Sequence, residues 1–214
     1  MKPILAALLL LLVAIPVMGQ MSTVYSNGPI NGTTDAWTIN SGFVVSDTFT
    51  VGAGGNSVSG IVFGAWAFPG DILESSGIQI TSSEFGGTTF FSGTVNFTQS
   101  GCSSNQYGFN VCVETSGPFG PVNLASGTYW LNLDNAVVNT GDPIYWDENS
   151  GPSSASENSV GTIPSEAFTI GSCGGSKLLP DCLPPPSTPE PGSVALFATG
   201  MLSLGSFLRF KTRR

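Results

Sequence analysis

Residues 141–151 bring together side chain types that could bind a ligand. They include Asp142, Tyr145, Trp146, Asp147, Glu148 and Asn149. Carboxylate and amide oxygens are the hard ligands that Ca²⁺ prefers. Aromatic rings beside acids and amides also suit sugars, whose apolar faces pack on the rings while their hydroxyls bond to the polar groups. We therefore expect this acidic–aromatic segment to be the best candidate for binding calcium or a glycan, although its spacing fits no EF-hand loop. The alternative is a solvated turn between strands, with Tyr145 or Trp146 in the core.

Catalytic activity has little support in the sequence. The chain contains no histidine, which excludes histidine acid–base catalysis and the Ser-His-Asp arrangement. There is no Gly-x-Ser-x-Gly or Ser-x-x-Lys motif. A glycosidase needs two carboxylates placed across the sugar bond, and nothing in the spacing selects a pair. We predict a non-enzymatic protein without a cofactor, with Ca²⁺ bound by the acidic–aromatic segment as the alternative. The alternatives are a secreted carbohydrate-active enzyme and a calcium-dependent glycan-binding module.

The charged residues are distributed unevenly. Between residues 20 and 190 only Lys177 is basic, and all 14 acidic residues lie in that region, which gives it a net charge of about −13. Such a surface repels phosphate backbones, so nucleic-acid binding is excluded.

Both ends of the chain carry hydrophobic segments. Lys2 precedes an apolar run at 4–15, and small or tolerated residues at 17–19 fit a signal-peptidase site before Gln20. We expect a signal peptide at 1–19, with an N-terminal membrane anchor as the alternative. Near the other end, a helix over 192–210 would span about 28 Å, close to the hydrocarbon core of a bilayer.

The C-terminal segment has a motif before the apolar stretch and a basic cluster after it. The motif is Pro189, Glu190 and Pro191, and the basic residues are Arg209, Lys211, Arg213 and Arg214. By the positive-inside rule the basic end stays cytoplasmic and the body lies on the far side of the membrane. An ordinary tail anchor would have the same helix and basic end.

This combination resembles the PEP-CTERM sorting signal of exported bacterial proteins, although Thr188 stands where family members often have Val. The resemblance implies that an exosortase recognises and processes residues 189–214. It also implies an exported protein that is anchored in the membrane before processing and then lies at the cell surface or in the extracellular matrix. The segments 64–71, 127–131 and 142–151 loosely resemble the β-sandwich regions of other such proteins, which have no assigned role. Exopolysaccharide is the expected partner there.

The body has the pattern of an all-β protein. Alternating apolar and polar residues recur at 43–51, 91–97, 107–114 and 128–134, and further strands are expected at 37–39, 58–68, 77–81 and 167–170. In the first run Asp47 interrupts the apolar face. We predict an antiparallel, jelly-roll-like β-sandwich over 20–172, followed by a Cys/Pro-rich linker at 173–188.

The four cysteines suggest two disulfides in an exported protein. Of the three pairings, sequence proximity favours Cys102 with Cys112, and Cys173 with Cys182. Cys112 falls on the polar face of its predicted strand, so we expect a surface staple across a hairpin. A four-thiolate metal site is the alternative, but no Cys-x-x-Cys spacing supports it.

Overall fold

The computed structural model describes residues 21–173. The predicted signal peptide, Cys182, most of the linker, and the sorting motif with its helix and basic end all lie outside these residues, as does the side chain of Cys173. Every regular element within 21–173 is a β-strand. No helix in this part of the chain is long and apolar enough to cross a membrane.

The strands range from 3 to 19 residues in length. They are β1 (Met21–Ser26), β2 (Ala36–Thr38), β3 (Val44–Val51), β4 (Asn56–Val58), β5 (Gly60–Ala67), β6 (Leu73–Ser83), β7 (Gly86–Ser104), β8 (Asn110–Ser116), β9 (Val122–Leu124), β10 (Gly127–Val138), β11 (Tyr145–Asp147), β12 (Ala155–Glu157), β13 (Gly161–Ile163) and β14 (Phe168–Cys173).

Antiparallel pairing joins twelve of these strands into one curled, sandwich-like sheet in the order β1-β14-β5-β8-β7-β6-β10-β3-β12-β13, with β11 on β5 and β2 on β11. Strand β7 belongs to both halves, because its first part pairs with β6 and its last part with β8. We call the half from β1 to β8 the first sheet, and the half from β6 to β13 the second sheet.

The core lies between the two sheets, and alternation along the strands selects its residues. Ile78 and Ile80 of β6 and Leu131 and Leu133 of β10 are fully buried and sit opposite one another in the register. Aromatic rings connect the sheets, as where Tyr25 of β1 lies 6.3 Å from Phe49 of β3. The predicted all-β class is therefore confirmed in its coarse form.

The predicted faces of β8 are wrong. Glu114 lies opposite Phe63 and Cys112 lies opposite Ala65, and both of these β5 residues belong to the core. Residues opposite each other in an antiparallel pair share a face, so the acid and the cysteine point inward. The alternation misled because the other face of β8 is also covered, with Val111 only 7% exposed.

The disulfide between Cys102 and Cys112 is present. It joins an irregular stretch of β7, where the register shifts between Ser100 and Ser103, to the facing strand β8. Cys102 is exposed but Cys112 is buried, so the bridge runs from the surface into the sheet and is not a purely external staple.

Candidate functional site

The acidic–aromatic segment is built into the fold through β11. Strand β11 pairs with β2 on one side and with β5 on the other. Trp146 has no exposed surface. Its ring meets Phe63 at 5.9 Å and Phe168 at 5.4 Å, and its indole N–H donates to the carbonyl of Ala167 at 3.1 Å. Trp146 is thus a core residue.

Asp147 holds the loop that follows β1. Its Oδ2 accepts the backbone N–H of Asn31 at 2.8 Å. Its Oδ1 accepts the N–H of Gly32 at 3.0 Å and the indole N–H of Trp66 at 2.6 Å. Burial raises the pKa of Asp147, and these three hydrogen bonds oppose that rise. Both carboxylate oxygens are therefore occupied by protein donors.

Glu148 and Asn149 are likewise engaged. Glu148 Oε2 accepts the indole N–H of Trp37 at 3.1 Å. The Asn149 amide donates to the carbonyl of Asn27 at 2.7 Å, and its Oδ1 accepts from Gly151 N at 2.8 Å. Side-chain to backbone contacts of this kind fix a loop in place.

Asp142 lies apart from these three, on the exposed turn before β11. Among the described residues no group of three or more His, Cys, Asp or Glu side chains has the arrangement of a metal site. Calcium binding by the segment stays a prediction.

A buried carboxyl pair adjoins the segment. Glu148 and Glu166 form an isolated antiparallel bridge. The flanking bonds run from Asn149 N to Ser165 O and from Ala167 N to Asp147 O, both at 2.7 Å. This is the non-hydrogen-bonded position, where opposing side chains come closest.

Neither carboxylate oxygen of Glu166 has a hydrogen-bond partner within the described residues. Burial, followed by the charges of Asp47, Glu148, Asp147 and Asp35, raises the pKa of Glu166 well above its ordinary value. Burial also raises the pKa of Asp47 to about 6, although hydrogen bonds from Ser153, Glu166 and Thr48 oppose the rise. In the sequence, Asp47 is recognisable because it interrupts an apolar face. No sequence pattern indicates that Glu166 is buried close to it.

Five aromatic side chains form a cluster on the outer side of the first sheet. This aromatic patch consists of Trp66, Phe68, Tyr107, Phe109 and Tyr145. Trp66 stacks on Tyr107 at 5.4 Å and lies 5.8 Å from Phe109. Phe109 in turn contacts Phe68 at 4.9 Å and Tyr145 at 5.5 Å. Tyr107 is 52% exposed and Phe68 is 38% exposed, whereas Trp66 is buried.

Alternation along β5 positions the patch. Phe63, Ala65 and Ala67 point into the core, so Gly64 and Trp66 between them face outward. A Cβ on Gly64 would lie 2.7 Å from Ile30 and 2.9 Å from the Cβ of Asp147. The missing side chain thus lets the loop after β1 pack directly against the strand beside Trp66.

Polar groups border the patch. The Tyr107 hydroxyl donates to the carbonyl of Thr33 at 3.4 Å. The Asn105 amide donates to the carbonyl of Gly32 at 3.4 Å, and Asn105 Oδ1 accepts from Tyr107 N at 3.0 Å. Burial and the charge of Asp142 raise the pKa of the Tyr145 phenol. The exposed rings thus have amide, carbonyl and carboxylate groups near them.

Sequence reasoning found one member of the patch, Tyr145, and missed the other four as a group. The available signal was the 58–68 stretch, which is apolar at almost every position and so predicts a strand covered on both faces. That pattern shows that Trp66 needs neighbours, but not which ones.

A shallow groove of about 200 Å³ lies on the second sheet, and its lining includes Gly77, Gln79, Gly93, Thr94 and Asp134. Asp134 is the one carboxylate among its lining residues. The groove therefore lacks the paired carboxylates of a glycosidase cleft.

No protein-family model matches this chain, and a search of the curated proteins found no match either.

Proposed function

We propose that this chain is an exported, non-enzymatic surface or matrix protein whose jelly-roll-like body interacts with polysaccharide through the aromatic patch. The observation that carries the proposal is the patch itself: Tyr107, 52% exposed, stacks on Trp66, and Phe68, 38% exposed, contacts Phe109 of the same cluster. Aromatic rings are large apolar surfaces that a folded protein normally buries, and exposed clusters of them are typical of binding sites.

The polar border fits the same ligand. A sugar ring has apolar C–H faces and hydroxyl edges, so it needs a flat apolar surface with hydrogen-bonding groups beside it. The patch supplies stacked and tilted rings. The polar groups at its edge are the amide of Asn105, the backbone carbonyl of Thr33 and the carboxylate of Asp142.

The buried acids support a binding protein over an enzyme. The Asp147 oxygens accept three protein N–H groups, and Glu148 and Glu166 are 5% and 0% exposed. A glycosidase needs one carboxyl group on each side of an accessible sugar bond. All three side chains lie inside the protein, and the hydrogen bonds that Asp147 and Glu148 accept hold the loop and strand around them.

Binding can be tested with the purified protein and insoluble extracellular polysaccharide. We expect Tyr107→Ala and Phe68→Ala each to weaken co-sedimentation by about tenfold, because each removes an exposed ring from the patch. Phe90→Ala is the matched control, since Phe90 is 40% exposed but lies on β7 beside Tyr129 of the second sheet. Equal binding by all four proteins would refute the role of the patch.

The export part of the proposal is supported by residues 1–19 and 189–214, through the sequence patterns described above. It implies that signal peptidase removes the leader and that an exosortase-type enzyme processes the tail. In a host that contains such an enzyme, replacing Pro189, Glu190 and Pro191 by alanine should leave the unprocessed chain in the membrane. Thr188→Ala is the control just before the motif. Normal processing of the triple variant would refute the sorting role.

A further inference from the structure

The charge pattern around the aromatic patch restricts which polysaccharide it can accept. Residues 21–173 contain no Lys, Arg or His, so this part of the chain offers no cationic side chain to pair with a ligand anion. The charged side chains near the patch are acids. Asp142 is exposed three residues before Tyr145, and its charge raises the pKa of the Tyr145 phenol. Asp147 accepts a hydrogen bond from the indole of Trp66.

Specific recognition of an anionic sugar ordinarily uses arginine or lysine to bind its carboxylate or sulfate. Here an anionic group placed over the rings would lose water and meet like charge. A neutral sugar avoids both costs, because its hydroxyls can donate to the carboxylate of Asp142 and to the carbonyls at the edge of the patch.

We infer that the aromatic patch selects uncharged polysaccharide and rejects polyanionic polysaccharide, with Asp142 as the rim residue that contributes to the rejection. This inference rests on the proposed function, because it specifies the ligand of the same site. Successive ring contacts through Trp66 and Phe109 connect Tyr107 to Phe68, so both exposed rings belong to one continuous surface. A polymer contacting both exposed rings would bind more tightly than a single sugar.

The test uses two ligands with the same backbone: a neutral soluble glucan and its carboxymethylated derivative. Affinity electrophoresis or calorimetry of the purified protein at low ionic strength should show at least tenfold weaker binding of the charged derivative. The difference in affinity between the two glucans should become smaller in 0.15 M salt, because the screening length falls to about 8 Å.

Asp142→Asn supplies the variant arm. Two unit charges about 6 Å apart in water repel by an amount that changes affinity about threefold. With that separation as the working assumption, the variant should bind carboxymethylated glucan about threefold more tightly and neutral glucan almost equally. The matched control is Glu84→Gln, which changes the net charge equally but lies on the exposed β6–β7 turn.

The outcomes separate this inference from the proposed function. If neither glucan nor any other polysaccharide binds, the proposed function fails. If polysaccharide binds through Tyr107 and Phe68 but the charged derivative binds equally well or better, with or without added Ca²⁺, the selectivity inference fails while the binding function stands. Concentration-dependent self-association abolished by Tyr107→Ala, without glycan binding, would instead assign the patch to a second copy of this chain and overturn both.

Discussion

Glu114 should make the protein lose stability as the pH rises. This side chain is 0% exposed, it points into the core opposite Phe63, and neither of its carboxylate oxygens has a hydrogen-bond partner within the described residues. Burial alone raises its pKa from 4.5 to about 8. The folded protein therefore keeps a proton on Glu114 across a pH range in which the unfolded chain releases it.

The sign and size follow from proton linkage. A carboxyl group whose pKa is raised in the folded state contributes stability that is fully present below the unfolded value and is lost as the pH rises toward the folded value. One pKa unit corresponds to about 1.4 kcal/mol. Between pH 5 and pH 8 this one group should lower the free energy of unfolding by roughly 4 kcal/mol.

Glu114→Gln isolates that contribution, because glutamine has nearly the same shape and stays neutral. Urea denaturation followed by tryptophan fluorescence, with the disulfide intact, should give similar stabilities for the variant and the parent at pH 5. At pH 8 the variant should be more stable by roughly 4 kcal/mol. Other buried acids affect both proteins equally and cancel in the difference.

Glu74→Gln is the control, since Glu74 is exposed on β6, and it should leave the pH dependence of stability unchanged. A constant stability difference between Glu114→Gln and the parent from pH 5 to pH 8 would refute the reasoning. It would mean that Glu114 reaches water or a partner when it ionises.

Three further predictions concern the loop held by Asp147, the disulfide and two glycines. Asp147→Ala removes the acceptor of three N–H groups and should cost roughly 3–5 kcal/mol in urea denaturation; a loss below about 1 kcal/mol would show that this carboxylate does not hold the loop. Replacing both Cys102 and Cys112 by alanine opens a link between residues 10 apart in sequence and should cost about 3 kcal/mol, which an unchanged denaturation midpoint would contradict. Gly64→Ala should lower stability by about 2 kcal/mol, because its Cβ would lie 2.7 Å from a packed side chain. Gly77→Ala should cost less than about 1 kcal/mol, because its Cβ would meet the movable end of an aspartate; the reverse order in thermal melts would show that the loop over Gly64 yields more easily than the aspartate.

The long strands could be predicted because one face of each is apolar. The alternation of Phe91, Val95 and Phe97 places β7 correctly, and Tyr129, Leu131 and Leu133 do the same for β10. Three-residue strands such as β11 and β12 carry too few positions for a period to show. Their pairing depends on neighbours distant in sequence.

The site was harder to predict because several of its side chains do not follow residue-type preference. Asp147 is an acid that the fold buries by giving it three N–H donors, and those donors come from a loop more than 80 residues earlier and from β5. Glu114 lies on the core face with no hydrogen-bond donor among residues 21–173. The alternation of apolar and polar residues predicts neither the burial of Asp147 nor that of Glu114, because both depend on which strands become neighbours.

The lack of cationic side chains in the body also determines which proteases can cleave it. Trypsin-like enzymes choose substrates through an acid at the base of their specificity pocket, which requires lysine or arginine in the substrate. Residues 21–173 offer neither. Digestion by such an enzyme would therefore release the whole body as one intact fragment even after complete unfolding, so its resistance to this class of protease comes from composition and would survive any substitution that destabilises the fold.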